Sequence, residues 1–368
     1  MPDAWPSITD EPVRGGFAYL EHPWLLSLPG VDQLRAFVDD RLPAPPIHHL
    51  SGLRLSEAGL GTATSTMPAS PWWRSGVGIF LGGTLAFAAD MALGGAIYST
   101  LPSATALLTS ELTLSFLRPA SVESENINAR GRLIQAGRSQ GLSEAVVEDS
   151  HGRLLAFATS RCIISPLPFE PMPVPEPLPV PEPVASDTPD PYLRPPEGSV
   201  RGTNQWEGAD GIDLMRRWLA DDPPVPPVGR LTGWHPTEIE EGAVTWVMPA
   251  SRWFCGAHGG VYGGAIAMLA DVAANGALTT TLPAGTAYGT LDLKVHFLRS
   301  PQADESPLVA RAHVARRGRT VAVVTVDIED GAGRPVAMAT SSSMILAERP
   351  WEAGKPVAPI DEAPPREP

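Results

Sequence analysis

Residues 262–281 read YGGAIAMLADVAANGALTTT, and residues 81–100 read LGGTLAFAADMALGGAIYST. In each stretch a Gly-Gly pair opens an apolar run too long and too rich in Ala, Leu and Met for a strand. The pattern predicts a buried helix, weakened in its second half by Gly94, Gly95 and Gly276. The two stretches lie 181 positions apart, and the same offset carries Asp90 onto Asp271 and Met67-Pro68-Ala69-Ser70 onto Met248-Pro249-Ala250-Ser251. It also carries Phe116-Leu117-Arg118 onto Phe297-Leu298-Arg299, Gly137-Arg138 onto Gly318-Arg319, and Gly30-Val31-Asp32 onto Gly211-Ile212-Asp213. The chain is a gapless tandem duplication, with units at 30–165 and 211–346 that are each long enough for a compact domain with its own core. Two like domains in one chain are set to form a pseudo-twofold pair.

Around the helix each unit reads the same way. A short amphipathic segment, Val31 to Asp40 and Ile212 to Asp221, ends at Pro43, Pro45 and Pro46 or at Pro224, Pro226 and Pro227. Stretches such as GAVTWVMPAS then read as strand. After Pro102 and Pro283 the period changes to two: Leu291, Leu293, Val295 and Phe297 alternate with Thr290, Asp292, Lys294 and His296, which predicts a half-buried strand. Two more strand-like runs follow in each unit, joined by Gly-containing turns at Gly137-Arg138, Gly152-Arg153, Gly318-Arg319 and Gly333-Arg334. One apolar helix and a meander of strands means α+β, with the sheet wrapped about the helix. Outside the units lie an N-terminal arm (1–29), a Pro-rich linker (166–210) and a Pro-rich tail (347–368). The density of Pro in the linker predicts an extended, semi-rigid tether; its PxxP spacing also leaves a protein-recruiting role open.

With 368 residues and 43% apolar content, the chain can build two sizeable cores. A formal charge of −14 argues against a nucleic-acid partner, which would need an excess of Lys and Arg. Cys162 and Cys255 occupy unmatched repeat positions and have no neighbours at zinc-ligand spacing, so neither a disulfide nor a metal site is expected. The sequence shows no signal-peptide pattern at its start and no apolar run of about 20 residues, so no membrane span and a cytoplasmic location are expected.

Asp90 and Asp271 sit within the apolar helices, where an unpaired ionised carboxylate is costly. A structural hydrogen bond and a catalytic role as base or nucleophile both answer that cost. Gly82 and Gly263 each lie eight residues before the acid, two turns along the same helix face. Amides at a helix N-terminus are suited to polarising a carbonyl oxygen, so this spacing suggests acyl transfer.

Together, PPVGRLTGW, VMPASRWF, VYGGAIAMLAD and LDLKVHFLRSP, with PPIHHLSGL, FLGGTLAFAAD and LTLSFLRPA in the first unit, resemble the PaaI-like hotdog-fold acyl-CoA thioesterases. The resemblance covers nearly all of both units. It implies two tandem hotdog domains side by side in one continuous sheet, an acyl-CoA substrate, no cofactor and two pseudo-equivalent sites at the seam. Carried over, Asp271 and Asp90 become base or nucleophile, Gly263 and Gly82 oxyanion donors, and Thr109 and Thr290 helpers from the partner domain. Asp271 and Gly263 are thus expected to meet Thr109, and Asp90 and Gly82 to meet Thr290. Gly264 joins the substrate contacts, and Arg118, Arg299, Arg316 and Arg317 are candidates for the CoA phosphates, with a solvated hairpin tip as the other reading of the last two. Paired hotdogs often associate further, which leaves a homodimer open.

The chain departs from the family where a His precedes the Gly-Gly pair: Leu81 and Tyr262 stand there. Tyr262 reads equally as a hydroxyl donor or as a packed aromatic. His258, in an offset His-Gly-Gly, is a loop residue with access to the cleft as one reading. Ser75 and Gly256 replace an Asn of the family, so the first site is expected to be the weaker. The alternatives carried forward are a binder of acyl-CoA or another apolar ligand that does no chemistry, an enoyl-thioester hydratase, and a Cys255–His258 hydrolase, for which no orienting group is evident.

Overall fold

In the computed structural model, which describes residues 8, 11–181, 188–200, 208–220, 225–303 and 307–346, each apolar run forms one helix. The first central helix spans Gly82–Tyr98 and the second Gly263–Thr279. Both are apolar on every side and buried on every side, as a helix must be when a sheet and a second helix enclose it. Neither has a side-chain cap at its N-terminus: Leu81 and Tyr262 hold the N-cap positions in extended conformation, so the first amides of each helix are available to other partners.

The first unit contributes β1 (Arg54–Gly59), β2 (Thr62–Pro68), β3 (Thr105–Phe116), β4 (Asn126–Ala136), β5 (Gln140–Asp149) and β6 (Leu154–Pro166). The second contributes β7 (His235–Glu240), β8 (Ala243–Met248), β9 (Ala287–Phe297), β10 (Leu308–Arg317), β11 (Val321–Glu329) and β12 (Pro335–Leu346). They form one 12-stranded antiparallel sheet in the order β1-β2-β4-β5-β6-β3-β9-β12-β11-β10-β8-β7. The expected α+β fold of two hotdogs with a continuous sheet is therefore observed. The seam is the β3–β9 ladder, which pairs Glu111 with His296, Thr113 with Lys294, and Ser115 with Asp292. Thr113 and Lys294 are themselves 181 positions apart, so the pseudo-twofold axis passes through that pair. On the outer face an ion pair from Lys294 Nζ to Glu111 Oε1, 3.2 Å, crosses the seam.

Simple alternation fails at one place in each half. Across β9 and β12, Ser342 faces Asp292 but Ser343 faces Thr290, so Leu291 is an extra residue; across β3 and β6, Ser110 is skipped in the same way. These bulges fall at equivalent repeat positions. Each inverts the strand's phase. Leu291, expected inside with Leu293 and Val295, is 38% exposed while the other two are fully buried. Thr290 and Thr109 are turned the opposite way, pairing with the buried Ser343 and Cys162 on the face that meets the helices.

The Pro-rich linker is a strap over its described residues rather than a free tether. Val174 and Leu178 pack against a cluster that joins Tyr19, Trp24 and Leu25 of the arm to Ala36 and Leu42 of the first unit. Asp190 pairs with Arg14 at 3.3 Å and with His49 at 3.0 Å. The ring nitrogen of Trp72 donates to the Arg194 carbonyl at 2.9 Å, and that of Trp253, its repeat equivalent, donates to the Glu11 carbonyl at 3.1 Å. The linker end thus does for the first unit what the arm does for the second. The tail at 347–368 and Pro224 lie outside the described residues.

Strand β4 crosses the first helix so closely that a Cβ on Gly131 would lie 2.2 Å from the Ala92 carbonyl oxygen. Gly131→Ala is therefore expected to push helix from sheet and cost about 3 kcal/mol, read as a fall in the thermal midpoint. An unchanged midpoint would refute this packing.

Candidate functional site

The carboxylates lie where the two central helices cross. Glycine makes the crossing possible: a Cβ on Gly83 would lie 2.6 Å from Met268 Cα, and one on Gly264 would lie 2.7 Å from Phe87 Cα. At that approach each helix presents its N-terminal amides to the acid of the other. The Gly83 amide donates to Asp271 Oδ2 at 2.9 Å, and the Gly264 amide donates to Asp90 Oδ2 at 3.0 Å.

This corrects the pairing drawn from the sequence. Asp271 does not meet Gly263 and Thr109, nor Asp90 Gly82 and Thr290. Eight residues return to the same helix face but also advance about 12 Å along the axis, beyond the reach of a hydrogen bond. The partner amide comes from the opposite half, whereas the threonine comes from the same half as the acid. Thr109 Oγ1 donates to Asp90 Oδ1 at 3.4 Å. Thr290 Oγ1 donates instead to Asn275 Oδ1 at 3.0 Å, and Asn275 Nδ2 donates to the Asp271 main-chain carbonyl at 2.8 Å.

Gly82 and Gly263 occupy the first helical positions, where an amide has no acceptor within its own helix, and none is found among the described residues. Two consecutive amides thus divide the work at each end: the second holds a carboxylate and the first is open beside it. Glycine is required here too, since a Cβ on Gly263 would lie 2.8 Å from Asp90 Oδ2.

Asp271 is fully buried and Asp90 is 6% exposed. Burial pushes both carboxyls up to about 6; the Gly264 amide and Thr109 hydroxyl offset part of this at Asp90, and the Gly83 amide and Asn275 side chain at Asp271. The two differ in one respect. Both oxygens of Asp90 are engaged, whereas Asp271 Oδ1 is buried with no partner among the described residues.

Of the other candidates, Tyr262 is packed edge-on against Phe87 with ring centroids 5.3 Å apart, and its hydroxyl donates to the Phe87 carbonyl at 2.9 Å. The packed-aromatic reading holds, with the hydroxyl committed to backbone. Leu81 packs on the core. His258 is stacked on Tyr19 of the arm, with ring centroids 3.9 Å apart. Ser75 bonds its own turn, donating to the Ile79 carbonyl at 2.6 Å. Arg299 is paired with the buried carboxylate of Asp330, and Arg118 donates to the Leu154 carbonyl at 3.1 Å. Arg316 and Arg317 are exposed at the end of β10. No group of side chains among the described residues could hold a metal, and no described helix is long and apolar enough to cross a membrane. Asn275 was not singled out from the sequence, although its place four residues after the acid, opposite Gly94 in the first copy, is a readable signal.

The family model of the thioesterase superfamily matches residues 77–156 and again 258–337, two segments separated by the repeat offset of 181. A thioesterase described as a phenylacetic acid degradation-related protein, from Ralstonia eutropha JMP134, is 32% identical over 35% of this chain and 98% of its own, with a TM-score of 0.33. Acyl-CoA thioesterase II TesB2 of Mycobacterium marinum is 13% identical over 81% of this chain and 97% of its own, with a TM-score of 0.49. A conserved protein with a hot dog fold from Alicyclobacillus acidocaldarius is 16% identical over 79% and 95%, also with a TM-score of 0.49. No curated protein sequence matches the chain.

A carboxyl raised to about 6 stabilises the fold fully below its unfolded value near 4, and that contribution is lost as pH rises through 6. Keeping Asp271 ionised at neutral pH thus costs about 3 kcal/mol. Asp271→Asn is expected to raise the melting temperature at pH 8, relative to wild type, by more than it does at pH 4.5. An equal shift at both would show that the carboxyl is not strained.

Proposed function

Because the chain belongs to the thioesterase superfamily and is a thioester hydrolase, we propose that it cleaves an acyl-CoA at the helix crossing, with Asp271 as the principal base. The observation that carries this reading is the Asp271 carboxylate: one oxygen is held by the Gly83 amide, the other is buried without a partner, and the open Gly82 amide is adjacent in sequence.

In this mechanism the thioester carbonyl oxygen accepts from the Gly82 amide, at the positive end of the helix. Asp271 Oδ1 takes a proton from water as the water oxygen bonds to the carbonyl carbon. The tetrahedral intermediate collapses with cleavage of the carbon–sulfur bond, and the departing thiolate recovers the proton from Asp271. Burial supplies the basicity, since a carboxyl raised to about 6 is a stronger base than an exposed one and is still ionised at neutral pH. The second site would place Asp90 with Gly263 and Gly264 in the same roles.

The CoA phosphates are assigned to Arg316 and Arg317. Arg317 stands in the sheet row Arg317, Ala322, Ser343, Thr290, roughly 14 Å from the threonine across three strand spacings. The first unit has Gln135 and Ala136 at the matching positions, so only the half that holds Asp271 carries this charge.

Release of free thiol from acyl-CoA is expected to fall at least 100-fold in Asp271→Asn and less than threefold in Asp90→Asn, on the scale of losing a general base. The wild-type rate is expected to decline as pH drops through about 6. Full turnover in Asp271→Asn would overturn the mechanism. Replacing Arg316 and Arg317 by Ala is expected to raise the KM for CoA esters but not for N-acetylcysteamine esters; equal effects would remove the phosphate assignment.

A further inference from the structure

The halves are built alike, yet their threonines do different things. In the first, the Thr109 hydroxyl reaches the acid itself, 3.4 Å from Asp90 Oδ1. In the second, the equivalent Thr290 hydroxyl goes to Asn275 Oδ1 at 3.0 Å. The difference traces to one position of the repeat. Asn275 corresponds to Gly94, and a Cβ at Gly94 would meet nothing within 4 Å. The first site therefore has empty space where the second has an amide that intercepts the hydroxyl.

We infer that Asn275 is a positioning residue that makes the Asp271 half the working site, by taking the Thr290 hydroxyl on its own side chain and leaving Asp271 Oδ1 free. The inference rests on the mechanism proposed above and explains why the sites are unequal. A hydroxyl donated to a carboxylate oxygen occupies the lone pair that would otherwise take a proton from water. At Asp90 that oxygen is engaged. At Asp271 it is open because the amide of Asn275 is anchored from the other side, its Nδ2 on the Asp271 carbonyl at 2.8 Å. The amide orientation is consistent at both ends, with nitrogen donating and oxygen accepting. The titratable groups around the two acids do not mimic the effect: Tyr288 beside Asp271, and Tyr262 and Cys162 beside Asp90, are all held neutral at physiological pH by burial.

The test copies the first half into the second. Steady-state thiol release would be measured for Asn275→Gly, Asn275→Gly with Thr290→Val, and Gly94→Asn in the Asp271→Asn background. Gly costs a helix only a few tenths of a kcal/mol more than Asn, so the first variant is expected to fold, which its melting curve checks. In Asn275→Gly the Thr290 hydroxyl is freed to bond Asp271. The expected result is a kcat about tenfold lower with KM within twofold, the scale of one charge-assisted hydrogen bond. Adding Thr290→Val is expected to restore most of that loss, which a purely structural Asn275 would not allow. Gly94→Asn is expected to raise the residual activity of Asp271→Asn severalfold by freeing Asp90. The inference is overturned if Asn275→Gly leaves kcat unchanged, or if its loss is not relieved by Thr290→Val. Failure of the underlying mechanism is distinguishable, because Asp271→Asn would then be fully active.

Discussion

The structure turns on a reciprocal bond: the N-terminal amide of each central helix holds the buried carboxylate of the other. Gly83 to Asp271 and Gly264 to Asp90 cross the helix interface at its core, beside the bond from the Tyr262 hydroxyl to the Phe87 carbonyl, and each needs the other half in place. A carboxylate inside an apolar helix is otherwise expensive, and a helix end without a side-chain cap is incomplete. Either half alone would leave an unpaired charge and unsatisfied amides. Together they answer both deficits, which couples the folding of the site to the docking of the domains.

That arrangement is deliberately imperfect. One amide and one hydroxyl, or one amide and a distant carboxamide, do not cancel the burial of a carboxylate, and both acids remain shifted toward the neutral form. A structure optimised for stability would place an apolar side chain or a fully bonded amide at Asp271, as buried pairs elsewhere often tolerate. Retaining a strained acid next to an open amide costs stability, and such shifted groups cluster at functional sites.

Much of this was legible from residues alone. The repeat offset exposed the two domains, the apolar runs located the helices, and the isolated acids marked the polar groups of the helix crossing. Three features were not readable, each for a physical reason. The crossing of amide and acid between halves is a tertiary fact, because helix periodicity describes faces and not distances along the axis. The phase of Thr109 and Thr290 depended on bulges at Ser110 and Leu291, and a bulge leaves no mark on a polar–apolar pattern except to contradict it. The linker read as a tether because Pro removes local hydrogen bonding, yet Trp72 and His49 supply it from outside the segment, to the Arg194 carbonyl and the Asp190 carboxylate.

The seam between Thr113 and Lys294 has a consequence for how such a protein can change. In an association of identical subunits, one codon governs both sides of the axis, so a substitution that improves one pocket is forced on its twin. Joining the copies in a single polypeptide releases that obligation. Lys294 can stand opposite Thr113 and Asn275 opposite Gly94, because each position is inherited separately. Covalent fusion thus lets the two halves diverge residue by residue while each still lends its amide to the other.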